Sequence, residues 1–378
     1  MAKFATLPVK DGQVRAAFNG LLRSLLENGV VEALLVPLLH PAGNNVVQTL
    51  VTDPAYLERA DVLAPVFPVN AARIAQAMTR LAPASRKTAL VLRPCELRAL
   101  VELVKLRQVQ LENLYLIGFD CPGAYSVTHF TEWAAAGGTS DAFLKEAASS
   151  QWQDENLRAG CQICEFPYPL VSDLTIGLQG IDTAGQLLLV AGTEKGEELL
   201  EGLEIATGDS SPLAEARDSA IADFNKLMSE RRQKFFEQTR KEVGGPEKLA
   251  EVFGPCIKCQ NCRVACPVCY CRECFFVSPT FDLEADRYLR MAEKRGAMRM
   301  PTDTLLFHLT RMTHMAASCI GCGACEEVCP NDIPLLKIFQ MVGSNVQKLF
   351  EYVPGRDLEE PLPPTVFREE ELQTIGEK

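Results

Sequence analysis

Residues 256–267 read C-I-K-C-Q-N-C-R-V-A-C-P and residues 319–330 read C-I-G-C-G-A-C-E-E-V-C-P, two copies of one C-x-x-C-x-x-C-x-x-x-C-P pattern. Three thiolates at this spacing wrap one face of a 4Fe-4S cubane, and in two-cluster proteins the fourth cysteine of each run reaches across to the other cluster. The expected ligand sets are therefore Cys256, Cys259 and Cys262 with Cys329, and Cys319, Cys322 and Cys325 with Cys266. Zinc also takes C-x-x-C pairs, but four ligands complete a structural zinc and leave the doubled run unexplained. Cys269, Cys271 and Cys274 are surplus to these sets. Packing around the cluster is the preferred reading for them, with an alternative ligand or a redox thiol as the other.

Between the two runs lie 52 residues, far more than a compact bacterial ferredoxin needs. Their pattern is helical, with Leu305, Leu309, Met312 and Ala316 on one expected face. His308 and His314, six residues apart, do not stack on a helix face and read as polar or packing residues. Upstream, residues 210–246 form a charged, helix-prone stretch closed by Gly244, Gly245 and Pro246. Its Arg231, Arg232 and Lys234 read as a solvated face.

The first third alternates differently. Val14, Phe18, Leu21, Leu22 and Leu25 fall on one helical face before Gly29. A strand is expected from Val30 to Leu39, helices near residues 74–81 and 96–106, and buried strands at Ala89–Leu92 and Leu114–Phe119. The pattern predicts an α/β layer with a mixed, partly parallel sheet. Cys95 and Cys121 would then sit just past two strands, at the edge where open α/β sheets collect ligands. A helix start beside Cys95 would favour its thiolate. The other reading is two buried apolar thiols.

Composition narrows the class. A net charge of -11 repels polyphosphate backbones, and no basic stripe with interleaved aromatics offsets it, so no nucleic-acid partner is expected. No apolar run approaches the roughly 18 residues of a membrane span, and residues 1–12 lack a signal peptide's apolar core. Fifteen cysteines, clustered in a chain expected to be cytoplasmic, point to metal sites rather than disulfides.

Several N-terminal segments carry a resemblance. Val91-Leu92-Arg93-Pro94-Cys95-Glu96, Leu114 to Cys121, Cys161-Gln162-Ile163-Cys164, Ser172 to Gly177 and Thr193-Glu194-Lys195-Gly196 are similar to segments of the beta-subunit family of coenzyme F-420-reducing hydrogenases and formate dehydrogenases. The resemblance runs over residues 15–200. It implies one more 4Fe-4S cluster on Cys95, Cys121, Cys161 and Cys164. It also implies FAD, for whose contacts Asp173, Gly177, Gly180, Thr193 and Lys195 are the matching positions. Arg93 departs from the family, which carries a small residue before Pro94, and no G-x-G-x-x-G fingerprint is present. Residues 250–355 resemble the helical ferredoxin domain found in the C subunit of heterodisulfide reductase and in succinate dehydrogenase iron-sulfur subunits, including Ile333-Pro334-Leu335.

The expected organisation is an α/β flavin and iron-sulfur domain over 1–205, a helical linker over 206–250, an all-α helical ferredoxin-like domain over 251–355, and an extended tail over 356–378. The function these readings imply is that of an oxidoreductase subunit. It would exchange a hydride with a deazaflavin or nicotinamide carrier at FAD and pass single electrons through its clusters. Its partner would be the catalytic subunit of a formate dehydrogenase or hydrogenase, or a heterodisulfide-reductase-like subunit. The rival is a flavin-free relay that only conducts between neighbours.

Overall fold

The computed structural model describes residues 3–149, 154–205, 208 and 210–366; the last part of the expected tail, 367–378, lies outside these. Seven strands form one sheet in the order β1-β7-β6-β5-β4-β2-β3. They are β1 (Lys3–Pro8), β2 (Ala33–Leu39), β3 (Val46–Val51), β4 (Thr88–Leu92), β5 (Leu114–Phe119), β6 (Leu174–Gly177) and β7 (Gln186–Ala191). The central run β2-β4-β5-β6 is parallel, and β3, β7 and β1 are added antiparallel at the two sides. The sheet is thus mixed, as its alternation predicts. The strand expected from Val30 begins three residues later, at Ala33.

Every residue of β4 and β5 is buried, which is why they read as continuous apolar runs instead of alternating ones. Successive side chains still part to opposite faces. Ala89, Val91, Ile117 and Phe119 pack with Phe18, Leu22 and Leu25 of α1 (Val14–Glu27). Leu90, Leu92, Leu114 and Leu116 pack with α2 (Ala72–Thr79) and α3 (Pro94–Lys105) on the other face. Short helices α4 (Val127–Ala135), α5 (Ser140–Ser149), α6 (Ala159–Gln162) and α7 (Glu194–Gly202) complete this half.

Helix α8 (Ser211–Val243) is 33 residues long, about 50 Å at 1.5 Å per residue. It is not simply a solvated connector. Phe224, Met228, Arg232, Phe236, Thr239 and Val243 form a buried stripe along it, at the three- and four-residue steps of one helical face. Arg217 clasps Asp120, just past β5, through two bonds of 2.8 and 2.6 Å. Arg232, expected in solvent, is buried and reaches Ile163 O at 3.0 Å and Glu165 at 3.0 Å. The charged sequence hid both partners because they lie on other elements.

Helices α9 (Pro246–Val252), α10 (Asn261–Ala265), α11 (Ala285–Arg295), α12 (Thr304–Met315), α13 (Ala324–Glu327) and α14 (Leu335–Leu349) follow. The buried face of α12 is Thr304, Phe307, His308, Arg311, Met312 and Met315. Leu309, assigned inward by its periodicity, is 38% exposed. The chain then returns to α3. Arg98 donates to Pro354 O at 2.8 Å and Ile320 O at 3.2 Å, and buried Glu102 accepts from Gly355 N at 2.8 Å and from the Tyr352 hydroxyl. Gly355 has φ 73°, and a Cβ there would fall 2.4 Å from the Arg98 Cα, so only glycine permits this approach.

Candidate metal centres

Cys256 and Cys259 come from the loop that leads into α10, Cys262 lies on α10, and Cys329 follows two residues after α13 ends; together they line one cavity. Lys258 and Gln260 adopt left-handed backbone, φ 55° and 63°. The Lys258 amide donates to Cys256 Sγ at 3.3 Å. His308 stacks on Phe253 with centroids 4.2 Å apart and places Nε2 3.3 Å from Cys256 Sγ. Burial, with the Arg311 charge beside it, pulls this imidazole down to about 4. His314 is exposed. Arg311 Nη1 donates to Cys262 Sγ at 3.1 Å.

Cys319, Cys322 and Cys325 form the second group, with Gly321 and Gly323 at φ 73° between them. Gln340 of α14 donates to Cys319 Sγ at 3.4 Å. Burial raises the thiols of Cys266 and Cys325, and each feels the other run: Cys266 the charges of Cys322 and Cys319, and Cys325 that of Cys266. The fourth cysteine of each run thus lies beside the other run.

Cys95, Cys121, Cys161 and Cys164 arrive from three separate segments. Cys95 starts α3, Cys121 follows β5, Cys161 lies on α6, and Cys164 follows two residues after that helix ends. They line a single cavity that Cys319 and Cys322 also line. Gly160 packs against the Cys322 segment so closely that a Cβ would sit 3.0 Å from Gly321 O. The helix start does not make Cys95 an isolated thiolate. Burial, then the adjacent Glu96 carboxylate, pushes its thiol well up. Burial likewise pushes Cys164 up to about 12 and Cys322 up to about 11. Thiols so placed ionise on binding metal. Arg93, the departure before Pro94, donates to Cys121 Sγ at 3.0 Å.

These donor sets fit 4Fe-4S clusters. Arg158 Nε, Arg311 Nε and His308 Nδ1 are buried without a hydrogen-bond partner in the described structure, as groups packed around an anionic centre would be. Among the described residues no three His, Cys, Asp or Glu side chains are grouped to hold one metal ion. Of the surplus cysteines, Cys269 and Cys274 pack into the apolar cluster around Phe276 and Phe307, while Cys271 is exposed.

The five positions offered for flavin contacts are occupied by the fold. Asp173 accepts from Leu116 N at 2.7 Å and from the Thr193 hydroxyl at 2.6 Å. Thr193 caps α7. Lys195 donates to Leu111 O at 3.2 Å and Leu114 O at 2.7 Å. Gly177 and Gly180 face α8, where a Cβ would lie 2.8 Å from Arg217 Cδ and 2.6 Å from Ala216 O respectively. Both glycines permit the close packing of α8.

The sequence reading noted Arg93 only as a departure from the family and missed Arg158, Arg311 and Gln340. The signal for Arg311 was a cation at the 3-4 spacing of Phe307, His308 and Met315; for Arg158 it was a cation one turn before Cys161.

The cysteine groups define an iron-sulfur electron-transfer protein. A model of the 4Fe-4S dicluster domain matches residues 252–333, and one of the C terminus of the coenzyme F420 hydrogenase/dehydrogenase beta subunit matches residues 85–208. The F420-dependent formate dehydrogenase subunit beta of Methanocaldococcus jannaschii is 30% identical over 394 residues, covering 93% of this chain and 97% of that protein. The F420-dependent formate dehydrogenase 1 subunit beta of Methanococcus maripaludis is 28% identical over 384 residues, 93% and 94% of the two chains. The sulfhydrogenase 2 subunit beta of Pyrococcus furiosus is 28% identical over 145 residues, 31% of this chain and 42% of that one. The chain belongs to the F420 hydrogenase and formate dehydrogenase beta-subunit family.

Proposed function

We propose that this chain is the electron-transfer subunit of a cytoplasmic formate dehydrogenase or hydrogenase complex of the F420-dependent type, with three 4Fe-4S clusters in series. The observation that carries this is the shared cavity: Cys322 of the second group lines the same space as Cys95, Cys121, Cys161 and Cys164. On the crossed reading, the second group takes its fourth ligand, Cys266, from the first run. When bound, each cluster takes up or releases one electron. The chain's own residues orient the ligands and exclude water. Gln340, Arg93 and Arg311 donate to cysteine sulfurs, and hydrogen bonds to sulfur and burial are the levers that set cluster potential. Exposure of Cys259 supports docking of a partner beside the first group, either a catalytic subunit or a heterodisulfide-reductase-like subunit.

The finer reading, FAD exchanging a hydride with a deazaflavin or nicotinamide carrier, is supported by family membership. The rival flavin-free relay is supported by the occupation of all five offered positions. Anaerobically purified protein decides both levels. About 12 iron atoms are expected from three four-iron clusters, and zinc in their place would overturn the electron-transfer reading. An extractable fluorescent flavin selects hydride exchange, and its lack selects the relay.

A further inference from the structure

Helix α11 is 11 residues long and buries none of them. Ala285, Tyr288, Leu289 and Ala292 recur at three- and four-residue steps on one side, and Arg287, Arg290 and Lys294 on the opposite side. The apolar side is partly covered, with Tyr288 and Ala292 half-buried, whereas Arg287, Arg290, Lys294 and Arg295 are all exposed. Among the described residues none of these four cations makes an ion pair; the nearby cation that does is Lys258, with Asp303.

Contacts tie α11 to the first cysteine group. The Tyr288 hydroxyl donates to Phe281 O at 3.3 Å, and Lys258, between Cys256 and Cys259, lies 4.6 Å from the centroid of the Phe281 ring. Gln260 donates to Phe276 O at 3.1 Å, and Phe276 stacks on Phe281 with centroids 5.2 Å apart. Just past the helix, Arg299 donates to Phe253 O at 3.3 Å, three residues before Cys256. Around this framework Ile257, Phe275 and Val277 are 59%, 56% and 57% exposed, beside the exposed Cys259. Apolar side chains left in water and rimmed by cations have the make-up of a protein contact.

Charge selects the occupant. The chain carries a net charge of -11, yet residues 285–299 set Arg287, Arg290, Lys294, Arg295 and Arg299 against only Asp286 and Glu293. Two copies of so acidic a chain repel each other at long range, and a small anion has no use for the apolar groups. An acidic protein surface matches both features. Building on the electron-transfer reading above, we propose that α11 and the exposed residues around Cys259 form the docking face for an acidic protein that carries its own one-electron centre. Arg287, Arg290 and Lys294 steer that protein, and Ile257, Phe275 and Val277 are the side chains its contact dries. One electron then leaves the reduced centre of one protein and enters the oxidised centre of the other, with no bond made or broken. Steering of this kind speeds encounter by about 10–10³-fold and fades as salt screens it.

The test is stopped-flow reduction of the anaerobic full chain by a reduced acidic ferredoxin, after iron content has been measured. The parent rate should fall as ionic strength rises. Arg287→Glu, Arg290→Glu and Lys294→Glu together should slow reduction about tenfold or more at low ionic strength and abolish its fall with salt. The matched control is Lys234→Glu, Arg240→Glu and Lys241→Glu on exposed positions of α8, which changes net charge equally and should slow reduction far less. Methyl viologen radical, too small to need a docking face, should reduce all three proteins alike. A parent rate indifferent to salt, an α11 variant as fast as the parent, an α8 control slowed as much, or equal slowing with viologen would each overturn the proposal. Salt-sensitive self-association of the parent that the α11 variant loses would make the face a contact between copies, and would overturn it too. If the Glu variant loses iron, Gln at the same three positions replaces it under the same criteria. A parent chain without iron overturns the electron-transfer reading itself, before any rate is compared.

Discussion

The N-terminal cysteine group and the two C-terminal groups are built in opposite ways. Each C-terminal group draws three of its four cysteines from a stretch of seven residues, positioned by left-handed turns at Lys258 and Gln260 or at Gly321 and Gly323. The N-terminal group draws on segments from Cys95 to Cys164, brought together by two parallel strands ending at one sheet edge. A local group depends mainly on its own loop. A dispersed one depends on everything that holds the strands, α6 and α8 in place, so the two kinds should fail differently.

The largest expected effect breaks the dispersed group directly. Cys161→Ser combined with Cys164→Ser should remove about four of about 12 iron atoms and leave the EPR signals of both C-terminal centres; iron content reads the outcome, and unchanged iron would mean that these cysteines hold none. Next comes Cys329→Ser. It should perturb the centre held by Cys256, Cys259 and Cys262, whose cavity Cys329 lines. Damage confined to the Cys319 centre would refute the crossed sets.

A third substitution acts on the scaffold alone. Arg217→Met leaves Asp120, which is fully buried, without its cation. Breaking such a pair costs about 3–5 kcal/mol. Because Asp120 adjoins Cys121, chelator-driven iron release from the variant should begin with the N-terminal centre; release that begins at the C-terminal centres would show that α8 does not clamp that edge. The smallest effect is Thr193→Val, which removes a helix N-cap worth about 1 kcal/mol. The denaturation midpoint should fall accordingly while flavin content, whatever the parent holds, stays the same. A selective loss of flavin would return Thr193 to a cofactor role.

The legible parts of the chain were those set by short-range spacing. The two cysteine runs, the helix α1 with its Phe18 and Leu22 face, and the buried strands β4 and β5 all follow from patterns within a dozen residues. Strand β3 carried a weaker pattern because it lies at the sheet's side, where Val47 and Leu50 are about half exposed. On α12 Met312 and Ala316 of the expected face are buried and Leu309 is not; the buried positions also include His308 and Arg311, polar residues that a hydrophobic period does not count.

By itself, then, the sequence determined the ligand chemistry and the layered α/β start, since both depend on residue type and local interval. Only the tertiary structure decided what surrounds the sulfurs. The partners of Arg158, Arg232 and Arg98 lie 164, 69 and 256 residues away. No local interval encodes such contacts, because they exist only once the sheet edge, α8, α12 and the returning tail have packed against one another.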